Sequence, residues 1–417
     1  MKWRWLISIL AVALLFRLAM VAVVRVDKTP SSDEAILVGL AASMADGKGY
    51  QLDAGTYWTH QPTLIQSPGW PALLSIPFRA LPASWRWPAA RVMAIGFDSL
   101  AAVLLAVLAA RLGAGRKAAA AAGFLYALNP VLAGVAAQLT RESAAVFFML
   151  LFMIAVSGGS PRRVPRFLAA GLCLGYACLI RSNWLLMAPF FAAAFLWFQR
   201  AHFLRTLALL AVLAIGVLAT QAPWLIRNAH VYRKFPVFGA GGGETLYGGN
   251  NDQSAAVGGP YWGYFVFPDK ISGETPLREL AGRMSELEVD EYYRARARQW
   301  LAANPRKLPG LVLGKLVRAY VPVPRTRGAA VLAGSAYRWL IYALAGAGLW
   351  MLWRRRARVG GEALAAIIAV GAAPFATVVV FCGYFRYVLP AELLLLIPAG
   401  AWIAARLPEG NAERHQP

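Results

Sequence analysis

The chain is short of acids, cysteine and histidine. Of its 417 residues only 15% are charged, 20 are Asp or Glu, three are Cys and four are His. Soluble domains carry about 25% charged residues, so an ordinary water-soluble surface is excluded. Cys173, Cys178 and Cys382 all sit inside apolar blocks, with no CxxC pair and no Cys/His cluster. That excludes a zinc-ligand pattern and a disulfide framework, and leaves the cysteines as small buried hydrophobes. His60, His202, His230 and His415 show no ligand spacing. No Asp-x-Asp occurs, and no Gly-x-Ser-x-Gly offers a hydrolase nucleophile. No internal repeat is visible, which argues against transporters built from inverted halves.

What the chain has in abundance is apolar residue, 59% of the total. It is gathered in blocks near the ~20 residues that a bilayer core demands of a helix. Ten spans are expected near 5–26, 89–110, 118–138, 143–157, 166–181, 183–199, 206–225, 331–353, 363–382 and 387–405. The first run follows a basic start like that of a signal peptide. It is long, however, Arg17 interrupts it, and no small-x-small site follows before Asp27, so it reads as an uncleaved span.

The links between the spans alternate in charge. One set holds Lys2, Arg4, Arg111, Arg116, Lys117, Arg162, Arg163, Arg166, Arg200, Arg205, Arg354, Arg355, Arg356, Arg358, Arg406 and Arg414; the short links of the other hold Arg141, Arg181 and Arg386. Positive charge stays in the cytoplasm, so the first set is expected to face inward, with both termini. The net charge of +22 is then a topogenic signal plus a basic outer loop, and no nucleic acid is called for.

Two long segments, 27–88 and 227–330, are expected outside. In the first, Ser31-Ser32-Asp33-Glu34 offers helix caps before Ala35, Leu37, Leu40, Ala41 and Met44, with Gly47 or Gly49 as the stop. Pro68-Gly69-Trp70-Pro71 turns into a second short apolar helix over 72–80. Residues 275–303 read as one or two amphipathic helices broken at Asn304-Pro305. A further interfacial helix is expected from Leu308 to Tyr320.

Several charged residues can carry chemistry. Asp33 and Glu34 can hold a divalent cation or deprotonate a hydroxyl, or they can simply cap a helix. Arg141-Glu142 fills a link of about five residues between two spans; it is a solvated hairpin tip or a cation and carboxylate aimed into the cavity near Asp33. Arg17 and Asp98 lie at matching depth, roughly 14 Å below the outer surface at ~1.5 Å per residue, which predicts a buried ion pair. Arg181, Arg227-Asn228, Lys315 and Arg386-Tyr387 fall at outer helix ends, as headgroup anchors or as a set converging on one phosphate. Gly239 to Gly243, with Tyr247, Gly248 and Asn250-Asn251, is glycine-rich but follows no strand, so a dinucleotide or P-loop reading fails.

The order of these features carries a resemblance. Asp33-Glu34, then Leu40, Ala41, Gly47 and Gly49-Tyr50, then Pro68-Gly69-Trp70-Pro71, precede Asn129-Pro130, Arg141-Glu142, Pro223-Trp224 with Arg227-Asn228, Gly249-Asn250, Asn304-Pro305, and Arg386-Tyr387 with Pro390. This series resembles the GT-C glycosyltransferases of the protein O-mannosyltransferase and lipid A aminoarabinose transferase type, from about residue 5 to residue 405. The resemblance implies an all-α integral membrane protein, a GT-C-type bundle of about ten transmembrane helices with interfacial helices in the outer loops.

It also implies an inverting transfer from a polyprenyl-phosphate-sugar to a hydroxyl of a glycan, lipid or protein, at the outer face of the plasma (inner) membrane. Asp33 would be base or metal ligand, Glu34 its companion, and Glu142 a second acidic position. Arg141, His60, Arg181, Arg227, Asn228, Tyr247, Asn250, Lys315, Arg386 and Tyr387 are the candidate substrate-binding residues. No particular cofactor is implied, and a divalent cation at Asp33 is compatible. Relatives often carry a basic residue just before the Pro-Pro or Pro-Gly of the first loop. Here Gln66-Ser67 stands there, which moves the donor-phosphate contact to Arg227, Lys315 or Arg386. The extra soluble C-terminal domain of some relatives is missing, so a minimal catalytic module is expected. The competing classes are a flippase or transporter of lipid-linked glycans, a polymerase or ligase, and a non-catalytic assembly protein.

Overall fold

A helix made of apolar residues satisfies its own backbone and needs no water, so long apolar blocks become helices wherever proline allows. The computed structural model describes residues 3–24, 32–158, 162–233, 239–323, 328–357 and 359–407. Lys2, Asp27, Ser31, Arg358, Arg414 and His415 lie outside the described residues.

The bundle begins with α1 (Trp3–Val24), α2 (Ser32–Ala45), α3 (Gly69–Phe78) and α4 (Ala83–Arg111). It continues through α5 (Arg116–Ala127), α6 (Pro130–Ala137), α7 (Glu142–Val156), α8 (Arg163–Ile180), α9 (Met187–Phe198) and α10 (Phe203–Tyr232). The second long connecting segment folds as α11 (Gly242–Gly248), α12 (Asp252–Ala255), α13 (Leu277–Ala281), α14 (Glu286–Ala303) and α15 (Leu308–Tyr320). The chain then returns to the bundle with α16 (Ala329–Arg354), α17 (Gly361–Val380) and α18 (Phe385–Ala404). Among the described residues there is no strand, only one isolated bridge between Gln51 and Pro62.

Six helices, α1, α4, α8, α10, α17 and α18, are long and apolar enough to cross a membrane. The chain is a multi-pass membrane protein. The block expected at 118–138 is α5 and α6, bent by 48° at the break between them. Pro130 has no N–H to continue the helix, and Asn129 Oδ1 instead accepts from Val131 N at 3.0 Å and Leu132 N at 3.2 Å. The blocks expected at 143–157 and 183–199 are shorter. α7 has 15 residues, about 22 Å against a hydrocarbon core of about 30 Å. α9 has 12 and follows a 3₁₀ turn over Ser182–Leu186. α16 has the length, but Arg338 and five Trp and Tyr residues dilute its apolar character.

The bend at Asn129-Pro130 explains the buried charge. Val131 N is taken by Asn129, so the carbonyl of Ala127 has lost its helical partner. Arg17 Nη1 donates to it, while Nη2 donates to Tyr126 O at 3.2 Å. Arg17 Nε meets Asp98 Oδ2 at 2.6 Å, and Tyr126 OH donates to Asp98 Oδ1 at 3.0 Å. The ion pair anticipated from matching depth is therefore present, and it ties α1, α4 and α5 together with both side chains fully buried.

Helices α8 and α10 approach closely. A Cβ on Gly171 would stand 2.1 Å from the Leu213 carbonyl oxygen, so only glycine fits there. Elsewhere α16 packs on α18, α9 on α17, and α7 between α4 and α8. Arg338 on α16 pairs with Glu392 on α18 and donates to the Ala319 carbonyl at 3.0 Å, which fixes the end of α15.

In the first connecting segment α2 packs on α3 and stops before Gly47 and Gly49, at φ 77° and 85°, where a left-handed backbone suits glycine. α14 opens with a capping box, Ser285 and Glu288 each bonding the other's backbone N–H. The expected break at Asn304-Pro305 and the expected helix at 308–320 both occur.

Candidate functional site

Helix ends bring charge together from distant parts of the chain. Asp33 lies in the first turn of α2, Glu142 opens α7, Arg181 follows the last residue of α8, and Arg386 is the second residue of α18. Arg141 caps α7 from outside. Asp33 and Glu142 are well placed at helix N-termini, as Arg181 is at a C-terminus. Arg386 is not: a cation in the first turn of a helix opposes the macrodipole, so something other than helix stability keeps it there.

These residues form one cluster. Arg181 Nη1 pairs with Glu142 Oε1, with both side chains buried. Arg386 Nη1 stands 3.3 Å from Asp33 Oδ2, in a pair that is partly open to solvent. Arg141 Nη1 donates to Gln66 Oε1. The Tyr387 ring lies under Arg181, 5.5 Å from centroid to guanidinium, and the Tyr384 ring under Arg386 at 4.8 Å.

The electrostatics follow from this crowding. Burial works to raise the Glu142 carboxyl, but Arg181, Arg386 and Arg141 overcome it and hold it down at about 2. Arg141 is pushed down to about 10, first by burial and then by Arg181. The Nε–H groups of Arg181 and Arg386 are buried and have no hydrogen-bond partner. A buried donor left so costs about 1–3 kcal/mol until an acceptor oxygen meets it.

Asp33 and Glu34 part company. The Asp33 side chain is 46% exposed, whereas Glu34 is buried and turned into the protein. Only Asp33 presents a carboxylate to an incoming molecule. Among the described residues no group of three His, Cys, Asp or Glu side chains could hold a metal ion, and each carboxylate of the cluster already faces a guanidinium.

The other residues singled out from the sequence lie in different settings. Lys315 is fully buried, and its ammonium donates to Asn250 Oδ1 at 2.8 Å, Val379 O at 3.0 Å and Val380 O at 3.3 Å. All three of its N–H bonds are spent on holding Asn250 and the last carbonyls of α17. Burial pushes this amine down to about 8. Arg227 is caged by the rings of Trp224, Tyr232 and Tyr50 at 4.9, 5.4 and 5.7 Å. It donates to Asn228 Oδ1 at 2.9 Å, Tyr50 O at 3.2 Å and Thr63 O at 3.3 Å. Lys315 and Arg227 are therefore built into the frame, which leaves Arg386 of the three cations expected at the donor phosphate. Tyr247 stacks on Tyr293 at 6.0 Å, within the second connecting segment. His60 is exposed at φ 58° and pairs with Asp53 at 3.2 Å. Gln66 and Tyr384 belong to the cluster by contact and were not candidates. The sequence marks Gln66 only as an uncharged residue where relatives often carry a base, and it gives no sign of Tyr384.

No protein-family model matches the chain, and no curated protein does. Solved structures do. The apo oligosaccharyltransferase of Archaeoglobus fulgidus is similar at TM-score 0.55 and 15% identity, over 96% of this chain and 50% of that one. The AglB oligosaccharyltransferase of the same organism, in complex with an inhibitory peptide and a dolichol-phosphate, is similar at TM-score 0.52 and 14% identity, over the same shares. The fold is of the GT-C type. ArnT from Cupriavidus metallidurans bound to undecaprenyl phosphate follows at TM-score 0.46 and 16% identity, over 96% of this chain and 78% of that one. The chain spans about half the length of the oligosaccharyltransferases it matches, so what is shared with them is the GT-C helical frame.

Proposed function

We propose that this protein is a glycosyltransferase that moves a sugar from a polyprenyl-phosphate-sugar to an acceptor hydroxyl, with inversion. The observation that carries the proposal is the cluster itself: one accessible carboxylate, Asp33, beside three guanidinium groups at a single end of an apolar bundle. A neighbour of the same fold has been seen with a dolichol-phosphate, which supports a lipid phosphate as ligand. The donor's isoprenoid stays in the bilayer, so the transfer must happen at the bundle's membrane-level mouth.

The chemistry follows from the residues. The acceptor oxygen attacks the anomeric carbon from the face opposite the phosphate. Its proton passes to Asp33 as the new C–O bond forms. The old C–O bond breaks, and polyprenyl phosphate departs with the electron pair. Arg386, Arg181 and Arg141 stabilise the negative charge on the leaving phosphate. Tyr387 and Glu142 hold Arg181 in place. The ten-span topology, with both ends in the cytoplasm and the cluster facing the periplasm or exterior, completes the proposal. It rests on the alternation of basic links.

Membranes carrying the protein, supplied with a radiolabelled polyprenyl-phosphate sugar, test this directly. Label is expected on a new acceptor, and Asp33→Asn is expected to abolish its appearance while the protein still inserts. Normal turnover by Asp33→Asn removes it as base. Movement of the lipid without transfer identifies a flippase instead.

A further inference from the structure

Gln66 is a polar residue of the cluster that the transfer chemistry leaves without a role. It stands two residues before the Pro68-Gly69 turn, and its Oε1 accepts from Arg141 Nη1. A loop side chain positions nothing unless its own backbone is fixed. Here the backbone is pinned from three sides. Arg227, at the end of α10, donates to the carbonyls of Tyr50 and Thr63. Glu286, at the start of α14, accepts from Thr63 Oγ1 and Leu64 N, both at 2.8 Å. Tyr50 OH donates to the Gln66 carbonyl at 2.9 Å.

Arg141 needs such an anchor. Arg181 and Arg386 both lie near enough to disfavour its charge, and repulsion between like charges drives a long side chain toward solvent. A carboxylate at position 66 would hold the guanidinium but cancel its charge. A neutral carbonyl oxygen holds it and leaves the charge available.

We propose that Gln66 is a positioning residue, which keeps the Arg141 guanidinium beside Arg181 and Arg386 so that three cations meet one phosphate. This rests on the lipid-phosphate donor reading above. It also gives the second connecting segment a part in the site, because Glu286 on α14 fixes the strip of chain that presents Gln66.

The test uses the full chain in detergent, with a short-chain polyprenyl phosphate as probe and tryptophan fluorescence as readout. Donor KM and kcat are measured in parallel. Gln66→Met keeps the length and removes the acceptor. It is expected to weaken polyprenyl phosphate binding about ten- to hundredfold, the size of a hydrogen bond to a charged group, to raise donor KM, and to lower kcat as well, because Arg141 also stabilises the departing phosphate. Gln66→Glu keeps the contact but neutralises the cation. It is expected to lose as much binding as Arg141→Gln and to flatten the salt dependence.

Wild-type binding by Gln66→Met, with binding lost in Arg141→Gln, overturns the positioning role and leaves the donor reading standing. Failure of the wild-type protein to bind polyprenyl phosphate overturns both. If Gln66→Met does not fold, Gln66→Glu decides, and wild-type binding by that variant overturns the role.

Discussion

At the scale of single residues, the cluster separates groups that look alike in the sequence. Lys315 and Arg386 are both cations expected at outer helix ends, yet one has its donors spent on the frame and the other keeps a buried, unpartnered Nε–H. Lys315 makes a prediction about pH. Its amine sits at about 8 in the folded protein against 10.5 for the free group. Between those values the unfolded chain binds a proton that the folded chain does not, so stability rises with pH across that window. At roughly 1.4 kcal/mol per unit the full rise is about 3 kcal/mol. Thermal unfolding in detergent from pH 7.5 to 10.5 is expected to show it, and Lys315→Gln to flatten it. A slope unchanged by that substitution would assign the effect to another group.

At the scale of elements, the strongest prediction concerns α1. Its Arg17 is satisfied by Asp98 and by carbonyls that the Asn129-Pro130 break exposes. Removing one partner strands the other charge in the bundle, at a cost of about 3–5 kcal/mol. Asp98→Ala is therefore expected to lower the melting temperature sharply, and Arg17→Leu/Asp98→Leu to recover most of it. A double variant no better than the single one would refute the pairing as the cause.

This pair also marks how far the sequence can be read. Depth along two apolar blocks was enough to match Arg17 with Asp98, because a helix converts residue number into height. The break at Asn304-Pro305 and the stop at Gly47 and Gly49 were legible for the same kind of reason, since proline and glycine act locally, whereas the bend at Asn129-Pro130 fell inside a block that reads as one span. Gln66 with Arg141, and Glu286 with Thr63 and Leu64, were not legible. Their partners lie 75 and more than 220 residues apart and meet only because two loops pack on each other. The split of Asp33 from Glu34 depends on which face of α2 is covered. Five neighbouring apolar residues at mixed helical spacing could not decide that.

At the scale of the whole molecule, the charge pattern sets the orientation to be tested. Single cysteines at Asp33, Gln66 and Gln138, the last in the link that leads to Glu142, in a background lacking Cys173, Cys178 and Cys382, are expected to react with an impermeant maleimide from outside intact cells. Cysteines at Arg116 and Arg355 are expected to react only after permeabilisation. Positions 33 and 138 labelled from opposite sides would put Asp33 and Glu142 on opposite faces and dismantle the proposed active site, whatever the activity.

The buried arginine of α1 also bears on how the protein is made. When α1 leaves the ribosome, the carboxylate that neutralises Arg17 is 81 residues away and the carbonyl of Ala127 is 110. Until α4 and α5 have been synthesised, the first helix carries a bare cation into the lipid. An arginine at that depth costs about 2.5–3.5 kcal/mol on insertion, so the helix is held less firmly in the lipid until its successors arrive.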